Sequence, residues 1–216
     1  MIQIGKYKIR AFVMIVPEFP EKTEAIQKHL RSVGIEAEEF PCICAYDKLV
    51  APAELVSGLT TLNTYEVDAP GSGYRIGPKG TALCVSFLMF WTAAMFMAEE
   101  YFWFIEWDAL FHPDWRKRTE QALKDVPPDF DFLFLGSCCT KDKPTKHIKG
   151  EVFEVKYPMC NHSQIIAKKA MPTLLRTQRK IYAPADISLA VCAFPHLKIY
   201  TMLPRCCDQS NTIIPP

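Results

Sequence analysis

Eighteen consecutive uncharged residues, Thr81 to Ala98 (TALCVSFLMFWTAAMFMA), constrain this chain more than any other feature. A run of that length stands at the threshold for crossing a bilayer, so it either spans a membrane or is a helix buried on all sides. Its surroundings favour burial. Thr81, Ser86 and Thr92 interrupt it, Glu99 and Glu100 close it, and a second apolar segment, Tyr101 to Ile105, runs from there into two carboxylates. A buried helix beside a buried strand needs a large core. With 216 residues, 49% hydrophobic and 12% aromatic, the chain supplies one, and its length favours a single domain over residues 1–216. No transmembrane segment is expected, and disordered or coiled-coil architectures fall away.

Other segments alternate between strand and helix. Lys8 to Val16 reads as a buried first strand, Pro17-Glu-Phe-Pro20 as a turn, Glu21 to Ser32 as an amphipathic helix ended by Gly34, and Ile35 to Phe40 as a short strand. A β-turn-α-β unit of this kind builds a mostly parallel sheet. The glycines and prolines between Asn63 and Gly80 suggest a long mobile loop that orders over a ligand as a lid. Further strands are expected over Asp131 to Leu135, Val152 to Tyr157, Ser163 to Ile166 and Leu197 to Thr201. Helices are expected over Trp115 to Lys124, Lys168 to Arg176 and Asp186 to Ala193. Lys141 to Lys149 reads as a basic loop and everything from Pro204 onward as irregular. The fold class is therefore α/β, with a Rossmann-like, mostly parallel central sheet flanked by helices.

Twenty-five Lys and Arg against 24 Asp and Glu leave a net charge of +1, so no global field draws nucleic acid or an anionic membrane. An anionic ligand has to be held locally. The nine cysteines contain no CxxC and include the adjacent pairs Cys138-Cys139 and Cys206-Cys207, a pattern that reads as reduced thiols in a cytoplasmic protein.

Glu106-Trp107-Asp108 follows directly on the apolar strand Tyr101 to Ile105. Open α/β sheets bind ligands where their strands end. If the strand alternation continues, Glu106 and Asp108 face one way and Trp107 the other. The two acids are then placed to share Mg²⁺ or Mn²⁺, or to divide a cation and a ribose hydroxyl, leaving most of an octahedral shell to phosphate oxygens and water. Two solvated acids at a strand end would look the same in sequence. His162 is a candidate ligand or a packed histidine, and Trp107, Phe111 and Trp115 are candidates for stacking on a sugar or for the core.

Taken in order, Val16-Pro17, Ala45-Tyr46-Asp47, Gly80-Thr81-Ala82-Leu83, Ile105-Glu106-Trp107-Asp108-Ala109 and Pro184-Ala185-Asp186 resemble the landmarks of glycosyltransferase family 25. Ser163 to Leu175 is similar to a further stretch of that family, so the likeness runs from about Phe12 to Ser210. The chain departs from the pattern at Cys84-Val85 and Trp107, and it retains only Lys22 where the family has arginines. The resemblance implies a GT-A fold, a nucleoside-diphosphate sugar as donor, Mn²⁺ or Mg²⁺ on Glu106 and Asp108, and inversion at the anomeric carbon. It further implies that Val16, Pro17, Lys22, Ala45, Asp47, Lys79 and Glu106 line the donor site, and that Asp186 is the base that deprotonates an acceptor hydroxyl. The acceptor is a saccharide, a protein or a modified base. The competing readings are an inactive nucleotide-sugar or glycan binding protein and a metal-dependent nucleotidyltransferase or nuclease.

Overall fold

The computed structural model describes residues 1–43, 67–69, 72–74, 78–137, 146–179, 181 and 183–209. Its framework is one nine-stranded sheet. β1 (Ile2–Ile4) and β2 (Tyr7–Ile15) form a hairpin. α1 (Pro20–Ser32) then returns the chain to β3 (Glu38–Pro41), which lies parallel to β2 with Phe12 opposite Glu38. Within the segment Asn63 to Gly80 expected to be a loop, β4 (Val67–Ala69) pairs with β5 (Ser72–Tyr74) and the last three positions are helical, which corrects that expectation over nine positions; its other positions lie outside the described residues. α2 (Pro78–Phe96) leads into β6 (Tyr101–Ile105), which runs parallel to β2 on its other edge.

β7 (Ala109–Phe111) and α3 (Trp115–Asp125) precede β8 (Phe132–Gly136). β9 (Lys146–Lys149), β10 (Val152–Glu154) and β11 (Ser163–Ala167) follow, then α4 (Met171–Thr177), α5 (Ala185–Ser188), β12 (Ile199–Met202) and β13 (Cys207–Gln209). The order across the sheet is β1-β2-β6-β11-β8-β12-β10-β9, with β3 also on β2. β3, β2, β6, β8 and β12 point one way, and β11 is inserted antiparallel between β6 and β8.

Both faces of this sheet are covered at its centre, which is why β6 and β8 read as unbroken apolar runs. Ile26 and Leu30 of α1 and Trp115, Ala122 and Leu123 of α3 pack on Val13, Trp103, Ile105 and Leu133. On the opposite face Phe87, Phe90, Trp91 and Ala94 of α2 meet Phe12, Phe102, Phe104 and Phe134, with Met171 and Leu174 of α4 beside them. Ring centroids of Phe87 and Phe104 are 4.7 Å apart, and those of Phe90 and Phe104 are 5.3 Å apart. The uncharged run is thus a helix with one face buried by aromatic contacts, while Met89, Thr92 and Phe96 are exposed, which corrects the expectation of burial on all sides. Among the described residues no helix is long and apolar enough to cross a membrane.

Short strands escaped the sequence reading, β1 and β7 among them, and β9 and β13 show two different reasons. β9 is the lysine-bearing edge of the sheet, where charge deters pairing with other chains and also hides the β pattern, and Gly150, with φ +55°, makes the tight turn into β10. β13 is only three residues long and pairs with β7 outside the main sheet, so the tail is not irregular throughout.

Gly136, the last residue of β8, marks the tightest approach near the strand ends. A Cβ there would stand 2.4 Å from the Cys207 carbonyl oxygen and 2.5 Å from Cδ2 of His162. Both neighbours are fixed, since Cys207 lies in a strand and His162 is fully buried. Gly136→Ala is expected to cost ~1–3 kcal/mol through overpacking, read as a lower urea midpoint at unchanged slope.

Candidate active site

The site follows from the winding of the chain. β2 connects to β3 through α1 on one face of the sheet, and β3 connects onward to β6, beyond β2, through α2 on the other face. The ends of β2 and β6 therefore flank the crevice that opens where strand order reverses, the usual ligand position in open α/β sheets. Register puts Val13 opposite Ile105, Ile105 opposite Ser163, and Ser163 opposite Gly136. Val16-Pro17, Glu106 to Asp108 and Asn161-His162 consequently lie along one sheet edge.

β6 does not continue through the acidic motif as the alternation argument supposed. Glu106 donates its N–H to the His162 carbonyl at 3.0 Å, and the Ala109 N–H then closes on the Glu106 carbonyl at 3.2 Å. Glu106 to Ala109 is a tight turn, and turn geometry brings the two acids together in place of strand periodicity.

Desolvation at this edge pushes the Glu106 carboxyl up to about 8, and the negative charges of Asp108 and Asp186 add to the shift. Asp108, from the same turn, and Asp186, from α5, thus both act on Glu106. Asp108 is 7% exposed, and burial raises its carboxyl as well. Opposing that rise, Gln209 Nε2 donates to Asp108 Oδ2 at 2.7 Å, and the charge of Lys22 favours the ionised form.

A raised carboxyl has a definite sign in stability. Native Glu106 holds its proton above the ordinary value of 4.5, so the native state binds more protons than the unfolded chain between that value and about 8. Its contribution to stability therefore falls as pH rises across that window. Glu106→Gln removes the penalty, and its melting temperature without metal should exceed that of wild type by ~2–4 °C per kcal/mol relieved at pH 8.5, and by much less at pH 5.

The donor set suits a cation that brings most of its own ligands. Asp108 Oδ1 is buried and has no hydrogen-bond partner among the described residues. Among the described residues no group of three or more His, Cys, Asp and Glu side chains is arranged to hold a metal ion by itself. Asp108 and Glu106 would hold Mg²⁺ or Mn²⁺ only with ligand oxygens and water completing the shell.

Asp186 reaches the same region, though not as a helix cap. It is the second residue of α5, behind Pro184 at the cap position. Its Oδ1 accepts the Ile187 N–H at 2.8 Å and its Oδ2 accepts the Cys160 N–H at 3.3 Å. Cys160 has φ +58°, a bend that turns this amide toward the acid. Lys22 lies in the first turn of α1, with its ammonium over the Trp107 ring. Ala45 and Asp47 lie outside the described residues, as does the side chain of Lys79, whose backbone belongs to the first turn of α2.

Several candidates prove structural. His162 is fully buried, and its Nε2 lies 3.3 Å from the Cys207 carbonyl. Burial pulls its imidazole down to about 4, so it is neutral at physiological pH and does not exchange protons there. Phe111 and Trp115 are core residues packed on Trp103, with centroids 5.4 and 5.1 Å away. The expectation that all thiols are reduced is corrected by Cys160, which is disulfide-bonded. Cys42, Cys84, Cys206 and Cys207 are free thiols, and burial pushes Cys84 up to about 12 and Cys206 to about 11.

The partners of these acids went unseen in sequence. Gln209 belongs to a strand too short to show a period, and the Cys160 amide meets Asp186 across 26 residues. Only the Cys160-Asn161-His162 cluster drew attention to that turn.

With the geometry in place, the whole fold matches that of a solved glycosyltransferase involved in the glycosylation of the major capsid of PBCV-1. The TM-score is 0.52 at 8% identity, covering 94% of this chain and 93% of that one. At that identity the likeness concerns the fold, and it supports the GT-A-like α/β class expected from sequence. A mannose-1-phosphate geranyltransferase from Thermus thermophilus aligns over 92% of this chain and 74% of its own, with TM-score 0.45 and 12% identity, too distant to carry an argument. No family model and no curated protein sequence matches the chain. The likeness to glycosyltransferase family 25 therefore rests on motif order alone.

Proposed function

We propose that the chain transfers a sugar from a nucleoside-diphosphate donor to an acceptor hydroxyl with inversion at the anomeric carbon. The observation that carries this reading is the unpartnered, buried Oδ1 of Asp108 beside Glu106, at the crevice between β2 and β6. A protein keeps such an oxygen at a cost of ~1–3 kcal/mol unless a ligand completes it. The fold, shared with a solved glycosyltransferase, supports the same reading.

Asp108 and Glu106 would hold Mn²⁺ or Mg²⁺ against the diphosphate. The cation, when bound, supplies Lewis-acid neutralisation of the leaving group. Val16, Pro17, Ala45 and Asp47 are assigned to the nucleotide end, and Lys22 and Lys79 to the phosphates. Asp186 takes the proton as the acceptor oxygen bonds to the anomeric carbon and the bond to the diphosphate breaks on the opposite face. The negative charge of Asp186 already acts on Glu106, which supports a base beside the donor carboxylates.

Thermal shift against a panel of nucleoside diphosphates and nucleotide sugars, with and without Mn²⁺, tests the binding half. One nucleotide should stabilise the protein by ~2.7 kcal/mol at a hundredfold excess over its Kd, and only with the cation present.

A further inference from the structure

Trp107 stands between the two acids, and its ring is not part of the core. It is partly exposed, and Nζ of Lys22 sits 4.2 Å from its ring centroid. The same ammonium lies 4.7 Å from the centroid of Phe19, the residue before α1. A flexible lysine is thereby gripped by two aromatic faces, one from the turn after β6 and one from the entry to α1. No carboxylate among the described residues forms a salt bridge with it. Its charge is nevertheless felt at Asp108.

Two physical consequences follow. A free lysine side chain loses up to ~2 kcal/mol of rotamer freedom when it is fixed on a ligand, and a lysine already held by two rings loses less at that moment. An ammonium kept near the acids without being neutralised by them also stays available to an incoming anion.

We propose that Trp107 is a positioning residue which, with Phe19, stations the Lys22 ammonium at the mouth of the Glu106 and Asp108 pair as a fixed cation for the donor diphosphate. The proposal rests on the nucleotide-sugar reading above and deepens it. The residue between the acids delivers a positive charge through its ring face.

Isothermal titration of inorganic pyrophosphate, a nucleoside diphosphate and the parent nucleoside, all with Mg²⁺, tests it on wild type and on W107F, W107L, F19L, K22M and the W107L/K22M double variant. Removing the Trp107 face in W107L should weaken both phosphate ligands by ~3–30-fold, the range of a cation–π contact, and leave the nucleoside unchanged. W107F, which keeps an aromatic face, should recover most of the loss. The double variant should bind no more weakly than K22M alone, because Trp107 acts through Lys22. F19L, at a 37%-exposed position, should show a smaller loss of the same kind and keeps the test valid should W107L not fold.

Wild-type affinity for both phosphate ligands in W107L, or losses that multiply in the double variant, would overturn the proposal. So would a wild type that binds neither pyrophosphate nor nucleoside diphosphate. The expected pattern with pyrophosphate alone would uphold the clamp and reject the donor reading.

Discussion

Asp108→Ala should abolish metal-dependent binding of a nucleoside diphosphate while the protein remains folded. Gln209 donates to one oxygen of the carboxylate, and the other has no hydrogen-bond partner among the described residues. Its removal leaves Gln209 Nε2 unpaired, at ~1–3 kcal/mol, and relieves the desolvation that raises this carboxyl and, through its charge, that of Glu106. Fold stability therefore changes little. Cation affinity should fall by more than the ~10–100-fold that losing an outer-shell partner costs, since a direct ligand is lost. Glu106→Ala should weaken donor binding less if Glu106 contacts the ribose. Titration of Mn²⁺ in the presence of nucleoside diphosphate measures both variants, and equal affinity in Asp108→Ala and wild type would remove Asp108 from the metal site.

Asp186→Asn should lower the transfer rate by ~10²–10⁴-fold and leave donor affinity near wild type, because binding does not require a proton acceptor. Asparagine still accepts the Ile187 N–H at one oxygen, and the 3.3 Å contact from Cys160 is the bond it gives up, at ~0.5–1.5 kcal/mol. Single-turnover transfer and donor affinity, measured on the same variant, distinguish a base from a residue that only braces the turn at Cys160. A fully active Asp186→Asn would pass the role to another acid, with Asp208 the next to test. That residue now accepts a hydrogen bond from His112 Nε2 at 2.8 Å.

The parts of this molecule that sequence revealed are those written in apolar pattern. Tyr101 to Ile105 had to be a central strand because no charge interrupts it, and acids directly after such a strand had to emerge at a sheet edge. The β2-α1-β3 unit was legible for the same reason, its turn residues and helix spacing being local. What escaped depends on contacts between distant segments. The orientation of β11 is fixed by its neighbours β6 and β8, 60 residues before Ser163 in the case of Trp103, whose indole N–H donates to the Ser163 hydroxyl. The convergence of Glu106, Asp108 and Asp186 comes from a turn and from α5, and strand alternation gave the right neighbours for the wrong reason. The grip of Trp107 on Lys22 spans 85 positions and has no local signature.

Donor turnover by the wild-type protein tests the central claim most directly. Each nucleotide sugar is incubated with and without Mn²⁺, and released nucleoside diphosphate is followed alongside the same assay on Asp108→Ala. The account predicts that one donor is cleaved slowly to water, or faster with an acceptor hydroxyl present, only with the cation and not by the variant. Cleavage indifferent to Mn²⁺ and to Asp108, or no cleavage of any donor despite metal-dependent binding, would contradict it, the latter in favour of an inactive nucleotide-sugar binding protein.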